Sequence, residues 1–182
     1  IGFCLVGSEM CIRDSCYGMQ MAVIEYARNM LKLDDANSTE VNPNTKNPVI
    51  DLMEEQKNIT EKGGTMRLGA WKCDITRETL CHSVYKTENI EERHRHRYEL
   101  NNKYLNQLEE NGLVASGKNK DTNLVEVVEV KDHPWFIGVQ YHPEYKSTVL
   151  SPHPLFVSFV SAAILNKNKS VSYTHLTLPT KV

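Results

Sequence analysis

Residues 135–141, "WFIGVQY", form the most continuous apolar run in the chain. A short run without polar alternation fits a strand buried on both faces, which requires cover on each side of its sheet. That cover is available in residues 17–33 and 153–168, where apolar side chains recur at the three- and four-residue steps of amphipathic helices. The sequence therefore predicts an α/β fold in which an open sheet is sandwiched by helices.

The first half of the chain adds one loop and two strands to this prediction. Residues 34–48 are rich in Asn, Asp, Thr and Pro, which favours a loop with ligand-binding potential. Residues 49–56 predict a short strand that ends in a polar segment. Residues 63–75, opened by two glycines, predict a half-buried strand. Its alternating apolar residues are Met66, Leu68 and Ala70.

The second half predicts a short helix, two strands and a last helix. The short helix begins at a cap formed by Asn101 or Asn102 and ends at Gly112. Residues 112–118 and 123–130 predict strands on either side of a polar turn. The last helix is expected to pack five apolar residues at helical spacing, namely Leu155, Phe156, Phe159, Val160 and Ala163.

The composition excludes several classes of function. A formal net charge of -2 and a pI near 6.4 give no general attraction to nucleic acid or to an anionic membrane. No segment reaches the roughly 18 consecutive apolar residues that a membrane-spanning helix needs. The apolar start lacks the basic residues that precede the apolar stretch of a secretory signal. We therefore expect a cytoplasmic protein without a nucleic-acid or membrane partner.

The cysteines give no sign of a disulfide framework or of a structural zinc site. There are five, an odd number, and no two of them form a CxxC pair. Cys73 and Cys81 have no basic partner in their sequence surroundings and are expected to be packing residues. We expect free thiols.

Both ends of the chain lack the periodicity of the segments that they flank. The strings "VGSEMCIRDS" and "VSYTHLTLPT" resemble translated sequencing-adapter readthrough at the ends of assembled transcripts. We expect residues 1–15 and 170–182 to be non-native and exclude them from the fold prediction, as tags are excluded. Residues 16–169 are then one partial domain.

Two places in the chain combine residue types that carry chemistry. Cys16 stands at the start of the first helix, where free backbone amides and the helix dipole stabilise a thiolate. His142 follows the buried strand, with Glu144 two residues later. An imidazole oriented by a carboxylate can take a thiol proton and pass it to a leaving amine. Taken alone, a cysteine before a helix is ordinarily a packing residue, and a His-Pro-Glu triplet is ordinarily a surface turn.

The string "RHRHR" is the other candidate for a charged binding site. Glu91, Glu92 and Glu99 flank it, so a nearly neutral cluster is favoured over a track for nucleic-acid phosphates. His94 and His96 share one strand face, but the sequence offers no third ligand at a suitable spacing. We predict no metal site.

Several strings together resemble a known family. "CYGMQ", followed more than a hundred residues later by "QYHPE", resembles the nucleophile turn and His/Glu pair of class I glutamine amidotransferase domains. "DANSTEV", "GGTMRLG", "ERHRHRYELN" and "HPWFIGVQYHPEY" are similar to the C-terminal glutaminase domain of CTP synthases. The resemblance covers about residues 16–165. It implies a flavodoxin-like three-layer fold, here truncated at its N-terminal end.

The resemblance also implies roles for individual residues. Cys16 becomes the nucleophile that attacks the side-chain amide of glutamine, His142 the general acid and base, and Glu144 the residue that orients His142. The amide of Tyr17 becomes one oxyanion-hole donor. A substrate ammonium group suits an acid, and a substrate carboxylate suits the planar guanidinium of an arginine. The implied glutamine-binding residues are Tyr17, Gly18, Met19, Gln20, Glu40 and Arg97.

The chain departs from the family pattern before Cys16. The family has Gly-Ile there, whereas this chain has Asp14 and Ser15. The glycine-rich loop that supplies the second oxyanion donor lies upstream in the family. We therefore expect little or no glutaminase activity from the chain as written.

The resemblance implies partners as well as a substrate. In the family, a synthase domain lies upstream and uses ATP and Mg²⁺ to aminate UTP with the released ammonia. GTP is the implied effector, the whole enzyme is an implied homotetramer, and the glutaminase domain itself needs no cofactor. Two alternatives remain open, namely another class I amidotransferase and a non-catalytic domain that only binds a small molecule or a partner.

Overall fold

The computed structural model describes the backbone of residues 11–52 and 66–174, and it contains two sheets. The larger sheet has six strands in the order β1-β9-β8-β7-β4-β5, and the smaller one has three in the order β2-β3-β6. The nine strands are β1 (Cys11–Ser15), β2 (Asn37–Ser38), β3 (Pro48–Leu52), β4 (Arg67–Ile75), β5 (Asn89–His96), β6 (Tyr98–Leu100), β7 (Leu113–Lys118), β8 (Val125–Val130) and β9 (Trp135–Val139).

Within residues 11–52 and 66–174, four α-helices and two short 3₁₀ helices connect these strands. The 3₁₀ helices span Asn102–Tyr104 and Pro143–Lys146. The α-helices are α1 (Tyr17–Asn29), α2 (Leu80–Tyr85), α3 (Leu105–Glu110) and α4 (Pro154–Thr174). None of these helices is both long and apolar enough to cross a membrane.

The larger sheet lies between two hydrophobic cores. On one face, Met19 and Val23 of α1 pack with Leu108 of α3 and with residues of the smaller sheet. On the other face, Tyr141 and Leu155 are completely buried among residues from α2 and α4. The three-layer α/β prediction is therefore confirmed.

The apolar run that predicted this architecture becomes β9. All five of its residues are buried, and it pairs in parallel with β1 and antiparallel with β8. A Cβ atom at Gly138 would lie 3.0 Å from Val128 Cγ2 and 3.3 Å from Met19 Cγ. A glycine there lets α1 lie directly on the sheet, which brings the start of α1 to the end of β9.

Other predicted elements also agree with the structure. Asn101 caps the 3₁₀ turn before α3 by accepting a hydrogen bond from the N–H of Lys103, and Gly112 ends the helical segment with a φ of 100°. The predicted strands of residues 112–118 and 123–130 are β7 and β8. The stretch of residues 53–65, which includes the predicted opening of the strand at Gly63, lies outside the described residues.

The prediction of the buried face of β4 was wrong. Leu68 is 57% exposed and Met66 37% exposed, whereas Arg67 and Cys73 point into the protein. An arginine can occupy the inner face because buried carboxylates compensate its charge. In α4, Leu155 and Phe159 are buried as predicted, but Val160 is 53% exposed and does not belong to the core.

Residues 11–15 take part in the sheet although the sequence analysis left them out. They form β1, whose Cα partners in β9 run in register from Cys11 with Trp135 to Ser15 with Val139. At the other end, α4 continues to Thr174. The non-native origin of residues 1–15 and 170–182 stays a prediction. Residues 1–10 and 175–182 lie outside the described part of the chain.

Candidate active site

Cys16 forms a sharp turn between β1 and α1. Its backbone has φ 49° and ψ -109°, a conformation that costs a residue with a side chain about 1–3 kcal/mol. Its N–H donates to the carbonyl of Val139 at 2.7 Å, and its own carbonyl accepts from the N–H of Gln20 at 3.2 Å. A strained strand-to-helix turn of this kind presents a nucleophile at the carboxyl edge of an α/β sheet.

The Cys16 thiol lies in a partly buried, polar environment. Burial raises its pKa to about 11, a hydrogen bond from the N–H of Tyr17 opposes the increase, and the carboxylates of Glu144, Glu99 and Glu40 add to it. The thiol is therefore protonated at neutral pH. It needs a base before it can act as a nucleophile.

His142 and Glu144 form a hydrogen-bonded pair just after β9. The Nδ1 atom of His142 lies 2.6 Å from Oε1 of Glu144, and the backbone N–H of His142 donates to the carbonyl of Arg93 at 2.9 Å. A carboxylate only accepts, so Nδ1 carries the proton and Nε2 is left as a base. Within the described residues, Nε2 is buried and has no hydrogen-bond partner.

The sheet brings this pair and Cys16 to the same edge. Cys16 directly follows β1, and His142 follows the adjacent parallel strand β9 by three residues. Ligands of open α/β sheets bind at the carboxyl ends of such strands. A thiol, an imidazole with a free nitrogen and an orienting carboxylate therefore follow two neighbouring parallel strands at one edge of the sheet.

The residues at the start of α1 divide into exposed and buried positions. Tyr17 is 44% exposed, and Gly18 is half-buried. Met19 is completely buried in the core, so its side chain has no access to a ligand and only its backbone could contact glutamine. Gln20 is 2% exposed, and its Nε2 donates to the carbonyl of Tyr98 at 2.8 Å.

The two charged residues predicted to hold glutamine lie on different segments near Tyr98. Glu40 is exposed in the turn after β2, and Arg97 joins β5 to β6. Burial raises the pKa of Tyr98, the carboxylate of Glu40 adds to the increase and the guanidinium of Arg97 opposes it. The carboxylate of Glu40 also raises the pKa of Cys16. A carboxylate and a guanidinium, the two groups that suit the charged ends of an amino acid, therefore both lie near Tyr98, and the carboxylate also lies near the thiol.

A buried charged cluster beneath this edge was not predicted from the sequence. The guanidinium of Arg67 lies 2.6 Å from Glu126 and 3.3 Å from Glu99, and Nδ1 of His94 lies 2.8 Å from Nε2 of His96. The alternation in "RHRHR" was the available signal, since it puts both histidines on the inner face of β5.

The protonation of this cluster follows from burial. Burial lowers the pKa of His94 to about 2 and of His96 to about 3, so both imidazoles are neutral at pH 7. Burial raises the pKa of Glu99 to about 8, which leaves Glu126, at the shorter distance, as the carboxylate that balances Arg67. Throughout residues 11–52 and 66–174, no group of three or more His, Cys, Asp or Glu residues is placed to hold a metal ion.

Gln140 is a second residue that the sequence analysis did not assign. It is completely buried between β9 and His142, and its Nε2 lies 3.9 Å from the Sγ atom of Cys16. Its position directly before the "YHPE" string was the only signal in the sequence.

The family model described as glutamine amidotransferase class-I matches residues 15–162. The chain belongs to the class I glutamine amidotransferase family. Cys16 and His142 both fall within the matched residues, as do the predicted glutamine-binding residues.

Two similar proteins are both CTP synthases. The chain is 68% identical over 154 residues to a CTP synthase of Flavobacterium psychrophilum, covering 85% of this chain and 29% of the relative. It is 60% identical over 152 residues to a CTP synthase of Clostridium perfringens, covering 84% of this chain and 28% of the relative. The chain thus spans less than a third of the length of these curated relatives.

A solved amidotransferase structure agrees with the same fold. The glutaminase domain of Trypanosoma brucei CTPS, determined with bound acivicin, superposes with a TM-score of 0.77 and 37% sequence identity. The match covers 84% of this chain and 59% of that chain.

Proposed function

We propose that this chain carries the glutamine-hydrolysing site of a CTP synthase, and that the chain as written has little or no glutaminase activity of its own. The observation that carries the proposal is the strained turn at Cys16, held against the strand that leads to the hydrogen-bonded pair of His142 and Glu144. Those three side chains are the nucleophile, the base and the orienting group that acyl transfer from an amide requires.

The reaction begins with transfer of the Cys16 proton to Nε2 of His142. The sulfur attacks the carboxamide carbon of glutamine, and negative charge develops on the carboxamide oxygen. A backbone donor stabilises this charge, namely the N–H of Tyr17, the residue that directly follows the nucleophile. His142 then gives its proton to the leaving nitrogen, and ammonia departs. Water attacks the resulting thioester with His142 again as base, which releases glutamate and restores the thiol.

Glutamine itself is held by its charged ends in this proposal. Glu40 pairs with the α-ammonium group, and the planar guanidinium of Arg97 pairs with the α-carboxylate. Tyr17 contributes from the exposed start of α1 and Gly18 through its backbone, whereas Met19 contributes only its backbone and Gln20 lies in a buried position. The opposite charges of Glu40 and Arg97 near Tyr98 support this arrangement.

The ammonia serves a second domain in the proposed whole enzyme. The similarity to CTP synthases supports a synthase domain upstream, in which ATP and Mg²⁺ drive the amination of UTP to CTP. A homotetramer, regulation by GTP and a cytoplasmic location belong to the same proposal.

The test is covalent labelling of the full chain with acivicin, followed by peptide mass mapping. We expect the label on Cys16, and we expect excess glutamine to slow its attachment because both molecules occupy one site. A Cys16→Ser variant should remain unlabelled, while a Cys73→Ser variant should react like the original chain, because Cys73 is buried in the core.

The result also separates the alternatives. Labelling at Cys73 or Cys81 in place of Cys16 would overturn the assignment of the nucleophile. Binding of glutamine in calorimetry, without acivicin labelling of any cysteine, would favour a non-catalytic binding domain.

A further inference from the structure

We propose that the side-chain amide of Gln140 stabilises the Cys16 thiolate, and that Gln20 fixes the direction in which this amide points. The inference rests on the proposed function, because it concerns the nucleophile of that reaction. It assigns a role at the nucleophile to Gln140, which had none, and a positioning role to Gln20, which the family resemblance implies only as a glutamine-binding residue.

The direction of both amides follows from one backbone carbonyl. The oxygen of Tyr98 can only accept, so the Gln20 atom 2.8 Å away must be the amino group Nε2. The same Nε2 lies 3.4 Å from the Gln140 side chain, so the Gln140 atom that faces it must be the acceptor Oε1. The remaining Gln140 atom is its amino group, and that group lies 3.9 Å from Cys16 Sγ.

The amide of Gln140 is held rigidly in this position. The residue is completely buried, Gln20 is 2% exposed, and the backbone N–H of Gln140 donates to the carbonyl of Glu126 at 2.8 Å. A donor that is already oriented in a buried site interacts with a developing charge without having to reorganise. Gln140 therefore offers the sulfur a fixed N–H donor in addition to the backbone N–H of Tyr17.

The contact becomes important when the thiol loses its proton. The proton moves from Sγ to Nε2 of His142, and the negative charge remains on sulfur. Near neutral pH, the carboxylates of Glu144 and Glu40 act against that charge. The Gln140 amino group is neutral and donates to the charged sulfur more strongly than to the thiol, because hydrogen bonds to an ionised acceptor are shorter and stronger.

The experiment measures the rate at which iodoacetamide alkylates Cys16 in the full chain, as a function of pH, with peptide mass mapping to separate the cysteines. Gln140→Met keeps the side-chain length and removes the donor. We expect its alkylation rate near neutral pH to fall about tenfold, which corresponds to an increase of about one unit in the pKa of Cys16. At high pH the two rates should converge, because the variant changes ionisation and not access.

Further variants make the result decisive. Gln20→Met should change the pH profile of Cys16 alkylation in the same direction by a smaller amount, because the Gln140 amide can then rotate by half a turn. The double variant should show no larger shift than Gln140→Met alone, since both act on one contact. Gln107→Met, on the exposed side of α3, is the matched control and should leave the profile unchanged.

The outcomes separate this inference from the proposed function. A lower melting temperature of Gln140→Met with an unchanged pH profile assigns the glutamine a purely structural role and overturns the inference. If Gln140→Met does not fold, the profile of Gln20→Met decides in the same way. Acivicin labelling of Cys16 in the original chain reports on the proposed function independently, because iodoacetamide does not depend on the glutamine site.

Discussion

The backbone N–H of Cys16 donates to the carbonyl of Val139 at 2.7 Å, which ties the strained turn directly to the end of β9. His142 follows Val139 by three residues, so the main chain itself sets the position of the thiol relative to the imidazole. The turn forms even though Asp14 and Ser15 stand where the family has Gly-Ile. The parallel pairing of β1 with β9 places Ser15 beside Val139, directly before the turn.

The pair of His142 and Glu144 gives the first prediction. His142→Asn should slow acivicin labelling of Cys16 at neutral pH by about 100-fold, because the protonated thiol then has no base. Glu144→Gln should cause a smaller loss, because the imidazole keeps its nitrogen but loses the carboxylate 2.6 Å from Nδ1. His82→Asn, on α2, is the control and should label at the original rate. Equal rates in all four proteins would remove His142 from the mechanism.

The backbone of Cys16 gives a prediction about stability. Glycine adopts φ 49° and ψ -109° without the strain that alanine has in this conformation. Cys16→Gly should therefore be more stable than Cys16→Ala by about 1 kcal/mol. The control comparison is between the original chain, which has Ala22 inside α1, and the Ala22→Gly variant. There, glycine should destabilise the protein by about 1 kcal/mol. Urea unfolding of the four proteins measures both differences. The same sign at both positions would contradict a strained turn.

The close contact of α1 with β9 gives a third prediction. A methyl group at Gly138 would meet Val128 Cγ2 at 3.0 Å and Met19 Cγ at 3.3 Å, so Gly138→Ala should destabilise the protein by about 1–3 kcal/mol. Val128→Ala makes room on one side. The loss in free energy of unfolding of the double variant should therefore be smaller than the sum of the two single losses, by at least about 0.5 kcal/mol. Strict additivity in urea unfolding would show that the new methyl group is accommodated elsewhere.

Much of the fold and the reactive residues could be predicted from local patterns. The apolar run at β9 required a covered sheet, and the position of Cys16 before an amphipathic helix and of His142 after the run put both at strand ends. In an open α/β fold, the carboxyl ends of parallel strands share an edge, so the sequence predicted a common edge for these residues but not the pairing of β1 with β9.

The inner face of β4 could not be predicted in this way. A period of two shows which residues share a face of a strand, but not which face is buried. Arg67 lies inside because the carboxylate of Glu126, far away in sequence, balances its charge at 2.6 Å, and Glu99 lies 3.3 Å from its guanidinium. The contact between Gln140 and Cys16 could not be predicted for the same reason. The two residues are 124 positions apart in sequence, and only the pairing of β1 with β9 brings their side chains together.

The buried cluster around Arg67 gives the last prediction, which concerns pH. Burial raises the pKa of Glu99 from 4.5 in the unfolded chain to about 8, so the folded protein holds this proton more tightly. Its contribution to stability is therefore fully present below about pH 4.5 and is lost as the pH rises toward 8. Glu99→Gln keeps a neutral side chain at every pH. Relative to the original chain, it should thus become more stable as the pH increases through this range.

Urea unfolding of both proteins at about pH 5 and about pH 9 measures this change. Each unit of pKa difference corresponds to about 1.4 kcal/mol, so even one unit is resolved by the comparison. His94 and His96 have lowered pKa values and lose stability as the pH falls below 6.5, but they do so in both proteins and cancel in the difference. Glu110→Gln, at an exposed position of α3, is the control and should show no comparable trend. A stability difference between Glu99→Gln and the original chain that is the same at both pH values would mean that Glu99 is ionised in the folded protein, with both carboxylates sharing Arg67.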